Sequence, residues 1–124
     1  QKALVSAVHN TAGDFVDFIQ YNDKYRYSSF VSMASGTQAS YTAIDTTDYV
    51  PSAISEYIIG NISHAGDSET GYVSNKNDDS NETGSGSGGS GKPHFEFNIL
   101  TANTIYWKGI VVGIYCKGFE ITKL

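Results

Sequence analysis

The stretch that decides the fold is TAIDTTDYVPSAISEYIIGNI, residues 42–62. A β-favouring lead-in is followed by the polar corner DTTDY, and Val50-Pro51 closes the corner before an apolar run. Pro51 fixes its own φ and pushes the preceding residue into an extended conformation. We therefore predict a turn at the corner and a central strand over residues 54–62, with the chain crossing between two sheets here. A helical turn over residues 52–57 is the alternative, because proline is tolerated at the first position of a helix.

Two aspartates flank this corner and raise the question of a cation site. A Ca²⁺ site needs about six to eight oxygen ligands, which Asp45, Asp48 and two threonines do not supply on their own. Short polar side chains also hydrogen-bond the backbone of the turns in which they lie. We therefore interpret Asp45, Asp48 and Pro51 as structural corner residues and predict no metal site.

Composition points to an all-β domain. The 124 residues are 40% hydrophobic and 13% aromatic, which suits one domain with a substantial core. Aromatic and β-branched residues are abundant, whereas the good helix formers Leu, Glu and Lys are scarce. Besides residues 54–62, strand patterns occupy residues 3–8, 14–21, 25–33, 37–44, 69–74, 94–100, 104–108 and 110–116. Eight or nine short strands predict an antiparallel two-sheet β-sandwich of jelly-roll type.

Two glycine positions refine this expectation. Ser35-Gly36 is predicted to turn the chain between the strands at 25–33 and 37–44. Gly113, inside the last apolar run, indicates a bulge or a close packing contact.

One segment departs from globular composition. Residues 75–91 read NKNDDSNETGSGSGGSG, a polar tract rich in glycine and serine. We predict a single domain over residues 1–124, interrupted at about residues 75–92 by a flexible natural loop or by an engineered linker. A linker would either replace a longer loop or join two pieces of chain. Asn77 and the two aspartates after it are interpreted as part of this solvated loop rather than as a cation site.

Charge and cysteine content exclude several classes of partner. The net charge of −5 makes nucleic acid an unfavourable partner and argues against anionic membranes. No stretch approaches the roughly 20 apolar residues of a membrane span. Cys116 is the one cysteine, so no internal disulfide forms, and its apolar surroundings predict a buried, inert thiol.

No catalytic constellation is visible. The chain carries no nucleophile elbow, phosphate-binding loop, paired-cysteine motif or His-Glu-x-x-His motif, and we predict a protein without enzymatic activity and without a cofactor. Glycoside hydrolysis needs two facing carboxylates, for which the sequence offers no specific pair. The histidines lie apart, without the spacing of metal ligands, at His9, His64 and His94.

The remaining functional signal is aromatic. Nine tyrosines and one tryptophan are many for a small sandwich, and such side chains suit recognition surfaces because they combine rigid area with a polar tip. We predict Tyr25, Tyr27 and Trp107 as ligand-binding residues. The alternative is that most of the aromatic residues line sheet faces and strand ends.

A family resemblance connects several of these elements. The segment Ile44-Asp45, the sequence YVPSA that follows it, the run TIYW and the final Gly118-Phe119-Glu120 occur in this order. Over roughly residues 40–124 this pattern resembles the C-terminal knob domains of bacteriophage tail fibres, with an "IDLS-x-x-VP-x-A" corner and a closing "Y-x-x-G-[FY]" element. The matching residues are structural positions: Asp45, Val50, Pro51, Ala53, Gly118 and Phe119. The Gly/Ser tract departs from the pattern.

The resemblance implies a β-sandwich, commonly trimeric, that binds bacterial surface glycans or proteins. The first hypothesis is therefore a homotrimeric, non-enzymatic receptor-binding tip on a virion surface. The second is a lectin-like carbohydrate-binding or adhesin module in an extracellular setting. The third is a purely structural trimerisation or decoration domain, for which the mixed faces of residues 14–21 suit burial between protomers.

Overall fold

A computed structural model of the chain describes residues 18–64, 71–77, 83–85 and 94–123. These residues form strands and turns and contain no helix, which confirms an all-β fold for the described part of the chain. The strands are β1 (Phe18–Tyr21), β2 (Lys24–Asp45), β3 (Tyr57–His64), β4 (Gly71–Ser74), β5 (Thr83–Ser85), β6 (His94–Asn98) and β7 (Thr104–Glu120).

All seven strands belong to one connected antiparallel sheet, in the order β1-β2-β7-β3-β6. Strand β4 pairs with the first part of β7 and with β5, while β3 pairs with the second part of β7. Strands β3 and β4 therefore lie end to end along one side of β7, and β2 lies along the other side. The long β7 is the central strand of the fold, a position that the sequence assigned to residues 54–62.

Each of the two longest strands, β2 and β7, contains two segments that were predicted as separate strands. Strand β2 runs through Gly36, where a turn was expected, and β7 runs through Gly109 between two predicted strands. Gly36 has a φ of 112°, and the pairing of β2 with β7 shifts register on either side of it. Val111 has a φ of 49°. Irregular positions of this kind bend a strand without ending its pairing, so the predicted turn is wrong and the chain bends instead.

The bend brings the two ends of the sheet together. A straight strand of the length of β7 would separate its ends by about 50 Å. Instead, Asn103 before β7 and Lys123 after it line the same pocket. The corner ties both ends: the Thr46 N–H donates to the Asn103 carbonyl at 2.9 Å, and the Thr122 N–H donates to the Ile54 carbonyl at 3.0 Å. The sheet is therefore strongly curved around its own interior.

The corner has the hydrogen bonding that its sequence predicted. One carboxylate oxygen of Asp45 accepts from the Thr47 N–H at 2.9 Å and from the Thr47 hydroxyl at 2.5 Å, and these bonds lower the pKa of the Asp45 carboxyl. Asp48 is exposed. The Pro51 carbonyl accepts from the N–H groups of Ile54 and Ser55, both at 3.0 Å. This single turn matches the alternative considered for residues 52–57 in part, and it delays the strand to Tyr57.

The interior is an aromatic and aliphatic core. Tyr25 is fully buried and stacks on Phe119, with ring centroids 4.8 Å apart and an interplanar angle of 10°. Gly60 allows Phe95 to pack closely, because a Cβ at Gly60 would overlap the Phe95 ring. Cys116 is buried as predicted, and burial raises the pKa of its thiol to about 12.

Other predicted elements are shortened or fall outside the description. The strand expected at residues 14–21 is described from Phe18 onward, and the one expected at residues 3–8 lies outside the described residues. Strand β4 is described from Gly71 onward, and β6 is shorter than expected by two residues. The tract at residues 75–91, expected to be structureless, holds β5, which pairs with β4 through Val73 and Thr83. The described part of the chain contains no helix with the length and apolarity needed to cross a membrane.

Candidate binding face

The three aromatic residues predicted to bind ligand lie in the core. Tyr25, Tyr27 and Trp107 are 0%, 6% and 3% exposed. The Tyr27 hydroxyl donates to the Tyr49 carbonyl, and burial raises the pKa of this phenol far above its usual value. Side chains in these positions do not reach a ligand at the protein surface. The prediction that they form a recognition surface is therefore corrected, and they are core residues.

Strand alternation explains this correction. In β2 the side chains of Tyr25 and Tyr27 point to the interior, whereas Arg26 and Ser28 between them are exposed. An arginine and serines mark the solvent side of a two-residue period, because burying them costs more than burying a hydrogen-bonded tyrosine. The polar residues of this alternating pattern could have identified the exposed face from the sequence.

The exposed face, here called the outer face, is the solvent side of β1, β2, β7, β3 and β6. Cross-strand pairing sets Arg26 beside Gly118, Gly118 beside Ile59, and Ile59 beside Glu96. One row of the sheet therefore connects β2 to β6 across this face. Its chemistry-bearing side chains are Lys24, Arg26, Phe30, Tyr57, His94, Glu96, Tyr115, Lys117 and Glu120.

Lys117 lies at the centre of this face because the strand pairing is irregular on both sides of it. On β7, Gly118 pairs with Ile59 and Cys116 pairs with the next residue of β3, so that Lys117 is an extra residue. On the other side of β7, Arg26 pairs with Gly118 but Val31 pairs with Cys116, which leaves four residues of β2 opposite Lys117. Bulges redirect side chains out of the regular alternation. Here they bring the Lys117 ammonium over the ring of Phe30, 5.5 Å from its centroid.

A chain of polar contacts extends from Lys117 across β6 to β3. The Lys117 ammonium lies 3.2 Å from His94 Nδ1, and His94 Nε2 lies 3.1 Å from a carboxylate oxygen of Glu96. Since an ammonium only donates, Nδ1 accepts and Nε2–H donates to Glu96. Partial burial opposes ionisation of Glu96, but hydrogen bonds from His94 and Tyr57 outweigh it and lower its pKa. Burial and then the charge of Glu96 raise the pKa of Tyr57 to about 12.

The aromatic part of the outer face is formed by Phe30 and Tyr115. Their ring centroids are 6.4 Å apart, at an interplanar angle of 46°. Phe30 is 53% exposed, so about half of its side chain is accessible to a ligand. An exposed aromatic ring beside a cation and a hydrogen-bonded histidine can take the apolar face of a ligand while the polar groups orient it.

A second aromatic cluster lies on the other half of the sheet. The Lys108 ammonium is 4.7 Å from the ring centroid of Tyr41 and 5.3 Å from that of Tyr72. These rings therefore hold a lysine of the chain itself between them. The Phe30 and Tyr115 pair, of which Phe30 is largely exposed, offers more aromatic surface to a ligand.

The third candidate is a pocket of about 220 Å³ where the corner meets the two ends of β7. Across it, Lys123 approaches Glu56 at 3.8 Å. Its lining residues are Val50, Ser52, Ser55, Glu56, Ile99, Ala102, Asn103 and Lys123. The pocket follows from the closure of the fold, and its two charged groups face each other, so we rank it below the outer face.

Metal-ligating side chains do not converge in the described part of the chain, where no group of three or more His, Cys, Asp or Glu residues could hold an ion. His9 and the two aspartates after Asn77 lie outside the described residues, and the side chain of His64 is not described.

Comparison with known proteins assigns no family to the chain. No protein-family model matches the chain, and neither curated proteins nor solved structures give a significant match.

Proposed function

We propose that this protein is a non-enzymatic binding domain of the kind that forms the receptor-binding tip of a phage or viral fibre. It recognises a cell-surface glycan or protein, and it acts at the surface of a virion or in an extracellular setting. The observation that carries the proposal is the outer face, where exposed aromatic surface and convergent hydrogen-bonding groups lie on one sheet. The resemblance of residues 40–124 to tail-fibre knob domains supports the same class.

The rigidity of the outer face suits recognition. Lys117, His94 and Glu96 come from strands in the middle and at the far side of the sheet, and their mutual contacts hold them in one arrangement. Binding groups on strands are placed more accurately than groups on loops, and less ordering entropy is lost on binding. A ligand that fits this face therefore meets a preformed surface.

The finer architecture that we propose is a β-sandwich of jelly-roll type, produced by folding one bent sheet over its own core. Contacts between the corner and both ends of β7 support it. The position of the core supports it as well, because Tyr25 and Phe119 from one half cluster with Trp107 and Val73 from the other.

A homotrimer is the proposed assembly, with β1 at or near the protomer contact. Ile19 is 68% exposed and Tyr21 is 77% exposed, and both lie at the β1 end of the outer face, on the edge strand of the described sheet. Exposed apolar side chains on edge strands are commonly covered in assemblies.

The same observation favours a structural trimerisation or decoration domain as a second candidate function, in which the outer face binds no ligand. A lectin-like module is the alternative that uses the outer face as a monomer.

The decisive binding test compares two equally exposed apolar residues. Phe30 lies on the outer face, and Leu100, which is 54% exposed, follows β6 near the corner. Binding of the wild-type chain, Phe30→Ala and Leu100→Ala would be measured on a glycan array and on whole bacterial cells. We expect Phe30→Ala to weaken binding by tenfold or more and Leu100→Ala to change it by less than twofold. Equal behaviour of the two variants would disprove the role of the outer face.

Light scattering coupled to size exclusion tests the assembly. A trimer at micromolar concentration that dissociates in an Ile19→Asp variant would support a contact through β1. A strict monomer would count against a fibre tip and favour the lectin-like module.

A further inference from the structure

We infer that the ligand of the outer face is an acidic saccharide, whose carboxylate or sulfate group binds between Arg26 and Lys117 while its ring packs on Phe30. The inference rests on the proposed function and adds the chemical class of the ligand.

The first step is the distribution of charge on the outer face. The chain has a net charge of −5, yet this face gathers Lys24, Arg26 and Lys117. Its carboxylates are Glu96 and Glu120. Glu96 is already engaged by His94 and Tyr57, and Glu120 pairs in register with Lys24. Arg26 therefore has no acid of this face opposite it, whereas Lys117 is attracted in part by the charge of Glu96.

The second step concerns Arg26. Its cross-strand neighbours are Ile19 on β1 and Gly118 on β7, neither of which brings a charge, and the next acid in the row is Glu96 on β6. Three strand spacings separate Arg26 from Glu96, about 14 Å between backbones. Among the described residues Arg26 has no carboxylate partner. A guanidinium in this position presents paired donors that match a carboxylate or sulfate.

The third step is the proximity of Lys117, which the bulge on β7 places next to Gly118 and hence beside Arg26. Burial and then the positive charge of Arg26 lower the pKa of Lys117, and the negative charge of Glu96 offsets this in part. The fold thus holds two cations close together at a cost in electrostatic energy. An anion bound between them would reverse that cost, because each cation would gain an opposite charge.

The fourth step distinguishes a saccharide from a free anion. Phe30 lies under the Lys117 ammonium and is 53% exposed, so an apolar surface adjoins the two cations. An acidic sugar presents an anionic group next to an apolar ring face, and this combination fits the surface better than either part alone.

The test uses two pairs of probes with the full chain. A galacturonate oligomer is compared with its methyl ester, and a heparin hexasaccharide with its desulfated, N-acetylated and carboxyl-reduced form, which is neutral, by calorimetry and by amide chemical shifts. We expect at least one acidic probe to bind tenfold or more tighter than its neutral partner, with affinity falling as salt rises. The shifts should centre on residues 26–30 and 115–118.

Matched variants locate the anion. Arg26→Gln and Lys117→Gln should each weaken the acidic probe by tenfold or more, and Lys76→Gln, which removes an exposed charge after β4, should change it by less than twofold. Amide spectra of each variant establish that it is folded. Sulfate ion alone binding as tightly as the saccharides would overturn the role of the ring.

Two further outcomes separate this inference from the proposed function. If the neutral probes bind the outer face as well as the acidic ones, or if no probe binds at millimolar concentration while Phe30→Ala still weakens binding to cells, the acidic ligand is disproved and the binding face stands. If no probe binds and Phe30→Ala has no effect on cells, both fail.

Discussion

The two faces of the same strands use aromatic residues for different purposes. On the inner side of β2 and β7, Tyr25 stacks on Phe119 and both are fully buried. On the outer side, Phe30 and Tyr115 form a tilted pair with Phe30 largely exposed. The inner rings contribute burial energy and the outer rings contribute surface. An aromatic residue in such a sheet is therefore interpreted by its side of the strand and not by its type.

The tyrosine hydroxyl groups of the two faces also have different hydrogen-bond partners. The Tyr27 hydroxyl donates to a backbone carbonyl at the corner, inside the core. The Tyr57 hydroxyl is bonded to the carboxylate of Glu96, at a half-exposed position. A buried bond to the backbone fixes the corner against β2, whereas a bond between surface side chains orients a charged group for interaction with a ligand.

The largest expected effect separates the two faces by stability. Tyr25→Ala should lower the free energy of unfolding by about 3–5 kcal/mol, because it removes a fully buried ring and leaves a cavity beside Phe119. Phe30→Ala should lower it by less than about 1 kcal/mol, since that side chain is already half in water. Urea denaturation followed by circular dichroism measures both.

One pattern of results would contradict the assignment of Tyr25 to the core and Phe30 to the surface. If Tyr25→Ala unfolds like the wild-type chain but loses ligand binding, the assignment of Tyr25 to the core is wrong and the recognition role expected from the sequence is restored. Leu100→Ala serves as the control for removal of an exposed apolar side chain.

Much of the fold could be predicted from residue patterns. Alternation in β2, the hydrogen bonding of Asp45 and the turn after Pro51 all depend on local interactions, and local sequence reports local interactions well. The joining of segments through Gly36 was not predictable in this way. A glycine with positive φ suits a turn and a bend equally, and only pairing with the partner strand decides between them.

The candidate site was less predictable than the fold. The sequence showed an excess of aromatic residues, but Tyr25, Tyr27 and Trp107 were chosen where Arg26 and Phe30 occupy the exposed side. The position of Lys117 depends on a bulge set by pairing with two strands distant in sequence. No local pattern around residue 117 specifies that bulge, so long-range register decides which side chains meet.

A smaller difference in stability is expected when one phenol oxygen is removed from each face. Tyr27→Phe should lower the free energy of unfolding by about 1–2 kcal/mol, because the buried Tyr49 carbonyl loses its hydroxyl donor. Tyr57→Phe should change it by less than about 0.5 kcal/mol, since Glu96 keeps its contact with His94 and can be hydrated. Thermal and urea unfolding of the two variants measure the difference, and similar losses in both would show that the faces are not distinct in this respect.

The smallest expected effect is a pH dependence that belongs to the outer face. The pKa of Glu96 in the folded chain lies below its usual value of 4.5, so its ionised form stabilises the fold above that pH, and this contribution is lost as the pH falls through the lowered pKa. Because the carboxylate is largely solvated, the contribution is a few tenths of a kcal/mol. Urea denaturation of wild-type and Glu96→Gln chains between pH 5 and pH 3 measures it, and their difference cancels the other carboxylates, including Asp45. We expect the stability advantage of the wild-type chain to shrink toward pH 3. Parallel curves throughout this range would show that Glu96 is not held by the contacts of His94 and Tyr57.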